Sequence, residues 1–205
     1  MPIIFATISP HPPIILPDVG SKEDRAKVKD TIDSLEKLEK KLTETKPDLI
    51  IISSPHQDWG FNVPLSFLAK DFKGEIKTFL TGIEKPDFHF EKGKKSFKEL
   101  PENKKIALIA SGDMSHVLKE DGPYGFHADG PEFDKSFIEA LGKKDIEVIL
   151  KLDEIYPEAA ECGLRSFCFL LGILEESKID YKPEILSYEG PFGVGYLVAN
   201  FNLKN

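Results

Sequence analysis

The sequence has little cysteine: only Cys162 and Cys168 occur among its 205 residues. Two thiols are too few for the disulfide framework of a small secreted domain, and such low usage is typical of proteins from a reducing compartment. The two cysteines lie six residues apart on a predicted helix, so they do not share a helical face. The cysteine content therefore predicts a cytoplasmic protein.

The sequence also lacks the patterns of membrane and nucleic-acid-binding proteins. No apolar run approaches the length that crosses a bilayer, and the first residues lack a basic segment followed by a long apolar stretch. The formal net charge is -8, and no stripe of Lys and Arg with interleaved aromatics is found. Internal repeats, low-complexity tracts and linkers are missing as well. We therefore expect a soluble protein with no nucleic-acid partner and no membrane partner.

The length is sufficient for one domain with a full core and short for two. Continuous apolar runs predict buried strands at residues 2–8, 49–53 and 106–110. Helical spacing of apolar residues over 21–46 connects the first two strands and completes a βαβ unit. The predicted fold is a single α/β domain over residues 1–205, with a mostly parallel central sheet flanked by helices on both faces.

The rest of the chain is less regular. The sequence Asp-Phe-His-Phe around His89 alternates like a strand, so this histidine is left out of the candidate site. The remaining predicted elements are a strand near 76–80, a short surface helix within 91–105, helices at 131–141, 144–150 and 160–176, and two closing strands within 181–201.

Three histidines follow apolar, strand-like runs. His11 follows Ser-Pro, His56 follows Ser-Ser-Pro, and His116 ends the segment Ser-Gly-Asp-Met-Ser-His. Because the carboxyl ends of parallel strands meet at one edge of a sheet, we expect these three side chains to lie together. His11 and His56 then form a natural pair of imidazole ligands for a metal ion. His127 lies in a loop rich in Gly and Pro, where histidines occur both with and without a function.

A metal held by two imidazoles needs a third ligand, and the candidates are Glu161 and Cys162. Two His and one carboxylate form the site of non-haem Fe(II) oxygenases, which leaves positions for substrate and O2. A thiolate would favour zinc or Cu(I). Each residue also has a purely structural alternative. Glu161 could be a carboxylate stabilised at a helix N-terminus, and Cys162 could be a small core residue. The residues by themselves leave these alternatives open.

Five segments in this order carry a resemblance to a known family. They are Ser9-Pro10-His11, Ser53-Ser54-Pro55-His56, Ser111-Gly112-Asp113-Met114-Ser115-His116, Glu161-Cys162-Gly163-Leu164-Arg165-Ser166 and residues 187–196 (SYEGPFGVGY). Over essentially its whole length, the chain resembles the class III extradiol ring-cleavage dioxygenases of the type of the protocatechuate dioxygenase catalytic B subunit. This superfamily also includes the Memo proteins.

The resemblance implies roles for the site residues. His11, His56 and Glu161 would hold Fe(II), with zinc as another occupant, and His116 would be the acid/base histidine. In the Memo branch, a cysteine followed by glycine stands at the third position, which would place Cys162 there; we favour Glu161. Asp113 matches an aspartate of the Memo pattern and would orient a histidine or a substrate group.

The resemblance also implies a reaction, namely ring opening of a catechol-type aromatic diol by O2 in aromatic compound catabolism. His127 would position the substrate or relay protons. Aromatic side chains would wall the substrate ring, namely Trp59, Tyr124, Phe61 and Phe126. The alternative is a Memo-like protein that binds Fe, Cu or Zn, or a zinc hydrolase, without ring cleavage. Related enzymes are commonly oligomeric, so a homodimer is expected.

Overall fold

A six-stranded sheet forms the centre of the protein, for which a computed structural model describes residues 3–204. In chain order the strands are β1 (Ile3–Ser9), β2 (Leu49–Ser54), β3 (Glu75–Leu80), β4 (Ile106–Ser111), β5 (Asp180–Glu189) and β6 (Tyr196–Lys204). Their order across the sheet is β3-β2-β4-β1-β6-β5. The first four are parallel, and β6 pairs antiparallel with both β1 and β5.

Helices cover both faces of the sheet, which explains why the central strands are continuously apolar. In β2, for example, Ile50 and Ile52 enter one core while Leu49 and Ile51 enter the other. The helices are α1 (Lys22–Ala26), α2 (Lys29–Thr45), α3 (Trp59–Leu68), α4 (Pro86–Phe97), α5 (Asp129–Lys143), α6 (Ile146–Ile149), α7 (Leu152–Ile155) and α8 (Leu164–Ser177). The predicted single α/β domain with a mostly parallel sheet is confirmed.

Several predicted boundaries were wrong. The single helix expected over 21–46 is divided into α1 and α2, and Ser21 with Asp24 forms a capping box at the start of α1. His89 lies in α4 rather than in a strand, because Pro86 at the first helical position starts a helix over the alternating pattern. Helix α3 was not predicted, since its apolar residues and internal proline show no clear helical period.

A fourth correction concerns α8, which begins at Leu164 rather than at residue 160. Glu161 and Cys162 therefore lie in the loop before the helix, so the expectation that both cysteines share one helix was wrong. Ala160 has a positive φ of 51°, which turns the chain sharply just before these two residues. Within residues 3–204, no helix is both long and apolar enough to cross a bilayer.

Candidate functional site

The carboxyl ends of β1, β2 and β4 bring the predicted histidines to one edge of the sheet, as a parallel arrangement requires. His11 follows β1 and His56 follows β2, and their ring centroids are 5.3 Å apart. Asp113 and His116 follow β4 on one loop. Together with Cys162 they form what we call the imidazole–thiol cluster: His11, His56, Asp113, His116 and Cys162.

Cys162 is the common member of two sets of potential metal ligands. One set is His11, His56 and Cys162, and the other is Asp113, His116 and Cys162; within each set the ligand atoms lie within 4.8 Å of one another. The Cys162 Sγ is 3.5 Å from His11 Nε2. The structure thus brings four of the predicted site residues around a single thiol.

Two glycines allow the thiol to come this close. A Cβ on Gly112 would lie 2.2 Å from the Cα of Gly163, so the loop after β4 and the turn before α8 meet backbone against backbone. The Gly163 N–H donates to the Asp113 carbonyl at 3.0 Å, and the Asp113 N–H donates to Cys162 Sγ at 3.3 Å. The contact between the glycines therefore positions Cys162 beside Asp113.

Glu161 faces away from this cluster. Its Oε2 accepts the Leu164 N–H at 2.7 Å, and its Oε1 accepts a hydrogen bond from Arg165 Nη1 at 3.0 Å. Arg165 Nη2 also lies 3.5 Å from Asp153 Oδ2. A carboxylate at a helix N-terminus and beside a guanidinium is well compensated. The structure does not bring Glu161 to the two histidines, although the resemblance to ring-cleaving dioxygenases implied it as third ligand.

We call this second group the arginine cluster: Glu84, His89, Asp153, Glu161 and Arg165. Arg165 Nε donates to the Glu84 carbonyl at 2.7 Å, and Glu84 Oε2 lies 3.4 Å from His89 Nε2. His89 is almost completely buried. His89 thus belongs to a group in which Arg165 already compensates the carboxylates of Asp153 and Glu161.

Burial governs protonation in the imidazole–thiol cluster. Burial, together with the neighbouring His56, lowers the pKa of His11 to about 3, and burial also lowers the pKa of His116. Burial raises the pKa of Asp113 to about 6 and raises the pKa of the Cys162 thiol well above its usual value. Neutral imidazoles are competent ligands, whereas the thiol must lose its proton when a metal binds.

The cluster fits a transition-metal ion by its donor set and by an unpaired atom. Two imidazoles and a thiolate are ligands for zinc, copper or iron. His116 Nε2 is buried, and among the described residues it has no hydrogen-bond partner. A buried ring nitrogen without a partner is costly unless a metal, water or substrate satisfies it. These residues can therefore hold a metal, and His116 Nε2 can form a hydrogen bond with a ligand bound beside it.

Aromatic side chains stand at the mouth of the cluster. The Trp59 ring stacks on His56 with centroids 5.2 Å apart, and the Tyr124 ring lies 5.2 Å from that of His116. Trp59 is 48% exposed and Tyr124 is 63% exposed. Phe126 is also about half exposed, whereas Phe61 packs against the core beside α2. Trp59 and Tyr124 are thus placed to touch a ligand.

His127 lies outside both sets of metal-ligand atoms. Its Nδ1 accepts the Asp129 N–H at 3.2 Å at the start of α5, and its side chain is about half exposed. Its predicted role in positioning the substrate stays a prediction.

Sequence reasoning missed two residues that support the cluster. Ser111 Oγ lies 2.9 Å from His11 Nδ1, and the signal was its place at the end of β4. Asp134 of α5 accepts the Ser115 N–H at 2.8 Å and the Tyr188 hydroxyl hydrogen at 2.5 Å. Its signal was an acidic residue within a helical stripe of buried residues, Gly130, Phe133, Phe137, Ala140 and Leu141.

Three comparisons describe what the chain is similar to. The family model described as the catalytic LigB subunit of aromatic ring-opening dioxygenase matches residues 56–199. Protein CA_C1420 of Clostridium acetobutylicum is 32% identical over 91% of this chain and 55% of its own length. The chain therefore spans about half the length of this curated relative. The uncharacterized protein JW3007 of Escherichia coli K12 has a crystal structure that shares the fold, with a TM-score of 0.58 and 13% identity over 96% of this chain and 98% of that chain.

Proposed function

The chain belongs to the family of catalytic LigB subunits of aromatic ring-opening dioxygenases, and on this premise we propose a metal-dependent oxidoreductase that opens a small aromatic diol with O2. The observation that carries the proposal is the group of His11, His56 and Cys162 ligand atoms within 4.8 Å at the carboxyl edge of the sheet. In this proposal these three residues hold Fe(II). When bound, the ion would bring the diol and O2 into contact and mediate electron transfer between them.

The protein's own contribution to this reaction begins with His116. Its Nε2 is buried without a partner among the described residues, so it is free to accept a hydroxyl proton from a diol bound beside it. Asp113 contacts the same thiol and the His11 main chain, with the His11 N–H donating to Asp113 Oδ1 at 2.9 Å. In this proposal Asp113 therefore positions the metal-binding residues, and His116 moves the proton.

The aromatic rings at the mouth orient the substrate. Trp59 stacks on His56 and Tyr124 lies beside His116, so one aromatic ring lies next to a proposed metal ligand and the other next to the proposed acid/base residue. A planar diol between them would gain offset or edge contacts with both rings. We propose Trp59 and Tyr124 as the residues that bind the substrate ring.

A second candidate is a Memo-like metal-binding protein or zinc hydrolase without ring-cleavage activity, and Cys162 is the observation that favours it. A thiolate ligand suits zinc or Cu(I) better than a carboxylate does. A thiolate beside an O2-activating centre is also open to oxidation. The structure brings Cys162, rather than Glu161, to the two histidines.

Anaerobic reconstitution with Fe(II), followed by O2 uptake against catechol, protocatechuate and gallate, separates the two candidates. Ring-opened product with the native protein, and its loss in His116→Ala with the iron content unchanged, is the result expected for the dioxygenase. Stoichiometric metal binding that depends on His11 and His56, with no O2 uptake on any diol, would instead support the second candidate.

A further inference from the structure

A proline inside α3 leaves one backbone carbonyl without its helical partner. Pro64 is the fourth residue after Gly60, and proline has no amide hydrogen to donate to the Gly60 carbonyl. The hydroxyl of Ser111 on β4 donates to this carbonyl at 2.5 Å. Ser111 is completely buried, so its hydroxyl has no access to solvent. The single hydroxyl hydrogen of Ser111 is therefore directed at Gly60.

This hydrogen bond decides what Ser111 can do toward His11. A serine hydroxyl has one hydrogen and two acceptor lone pairs. Ser111 Oγ lies 2.9 Å from His11 Nδ1 and, with its hydrogen at Gly60, can only accept there. His11 Nδ1 must then carry the hydrogen. In the neutral imidazole this leaves the lone pair on Nε2, the atom 3.5 Å from Cys162 Sγ.

We propose that Ser111 is a positioning residue that selects the Nδ1–H tautomer of His11 and so makes Nε2 the metal-binding atom. The cause is a chain of contacts: Pro64 leaves the Gly60 carbonyl free, Ser111 donates to that carbonyl, and Ser111 then accepts from His11. The tautomer assignment rests on the described contacts alone, whereas its consequence for metal binding rests on the proposed function. A hydrogen bond to the second ring nitrogen commonly fixes the tautomer of a metal-binding histidine.

Ser111 acts against a competing acceptor. Asp113 Oδ2 lies 3.9 Å from His11 Nε2 and would favour a hydrogen on that nitrogen. With Ser111 removed, Nδ1 loses its acceptor while the carboxylate stays in place. We therefore expect Ser111→Ala to move His11 toward the Nε2–H tautomer, in which the hydrogen blocks the atom that faces Cys162. Ser111→Thr keeps the hydroxyl and should keep the native tautomer.

Long-range proton–nitrogen NMR of the metal-free, histidine-labelled protein tests the assignment, with His11→Asn identifying the His11 signals. The native protein should show Nδ1–H at His11, and Ser111→Ala should show Nε2–H. In a chelator competition, Ser111→Ala should bind Zn(II) about 10- to 100-fold more weakly, and Ser111→Thr should restore the affinity. These readouts do not depend on turnover.

Ser166→Ala is the matched control, because Ser166 is a second buried serine whose hydroxyl pairs with Ser53 Oγ at 2.7 Å. It should leave the His11 signals and the zinc affinity unchanged. Nε2–H in the native protein would overturn the proposal even if no variant folds, and so would an unchanged tautomer in folded Ser111→Ala. A native Nδ1–H tautomer in a protein that binds no zinc would instead support tautomer selection and contradict the proposed metal site.

Discussion

Two neighbouring residues, Glu161 and Cys162, face two different polar clusters at the same edge of the sheet. Cys162 joins the imidazole–thiol cluster, in which no lysine or arginine among residues 3–204 compensates the buried carboxyl of Asp113. Glu161 joins the arginine cluster, in which Arg165 pairs with its carboxylate. Both clusters contain histidine and acidic residues, so residue type does not separate them. The difference is that, within the described part of the chain, the first cluster contains no lysine or arginine, and a metal ion can take that place.

Substituting Cys162 and Glu161 separately by alanine gives the largest expected difference between the two clusters. In the proposed metal site, Cys162→Ala removes a ligand rather than a supporting contact, so it should weaken Zn(II) or Co(II) binding by on the order of 100-fold or more. Glu161→Ala should leave the affinity within a few-fold and lower the free energy of unfolding by about 1 to 3 kcal/mol, since it removes the acceptor of the Leu164 N–H and one of the two carboxylate partners of Arg165, which keeps Asp153. Chelator competition and urea denaturation measure the two effects. Loss of metal binding in Glu161→Ala alone would show that the carboxylate is the ligand.

Arg165→Met tests the compensation in the arginine cluster. It leaves the buried Glu161 carboxylate without its cation, and breaking a buried pair in this way costs about 3 kcal/mol or more of unfolding free energy. Burial already raises the pKa of Glu161, so in the variant the folded state should favour its protonated form further. The loss should therefore be largest at neutral pH and should diminish as the pH falls.

Glu161→Gln in the Arg165→Met background is the control, because it removes the charge and keeps an acceptor for the Leu164 N–H. The double variant should regain part of the lost stability at neutral pH. Equal losses in the single and the double variant would contradict the interpretation that Arg165 acts by charge compensation.

Asp134, which accepts the Ser115 N–H next to His116, makes the stability of the region around the imidazole–thiol cluster depend on pH. Burial raises the pKa of Asp134 to about 6, so the folded state binds this proton more tightly than the unfolded chain does. Below about pH 4 the carboxyl is protonated in both states and costs nothing. Between about pH 4 and pH 6 the unfolded chain loses this proton while the folded state keeps it, so the unfolding free energy should fall by at most about 3 kcal/mol, and it should fall no further above the folded-state pKa.

Asp134→Asn stays neutral at every pH, so its unfolding free energy should decline less between about pH 4 and pH 7 than that of the native protein. Denaturant melts across this range measure the difference in slope. Because the contribution of Asp113 is present in both proteins, it cancels in the comparison. Parallel pH profiles would show that Asp134 is compensated in a way that its contacts with Ser115 and Tyr188 do not reveal.

The backbone contact behind Cys162 gives a smaller effect. Gly112→Ala places a Cβ 2.2 Å from the Gly163 Cα, and the two segments must separate at a cost of about 2 kcal/mol. Metal affinity should fall as well, because Asp113 and Cys162 would move apart. Gly142→Ala in helix α5 is the matched control, since a Cβ there meets nothing within 4 Å among residues 3–204, and it should stabilise the protein by about 0.5 to 1 kcal/mol. Thermal melts and chelator competition measure both variants.

The position of the histidines was predictable from local pattern. Buried strands with both faces covered are continuously apolar, so β1, β2 and β4 can be read from the sequence, and the rule that parallel strands end at one edge places His11, His56 and His116 together. His89 was wrongly predicted in a strand, because the alternation of two aromatics around it also fits one turn of helix after Pro86.

The sequence by itself determined the parallel α/β sheet and the histidines at its edge, because periodicity and strand ends are local properties of the chain. Only the tertiary structure shows which of Glu161 and Cys162 lies beside the two histidines. The reason is that the turn at Ala160, the contact of Gly112 with Gly163 and the position of Arg165 all depend on how α8 docks on the sheet. The link from Pro64 to His11 has the same origin, since it joins groups that meet only when α3 packs beside β4.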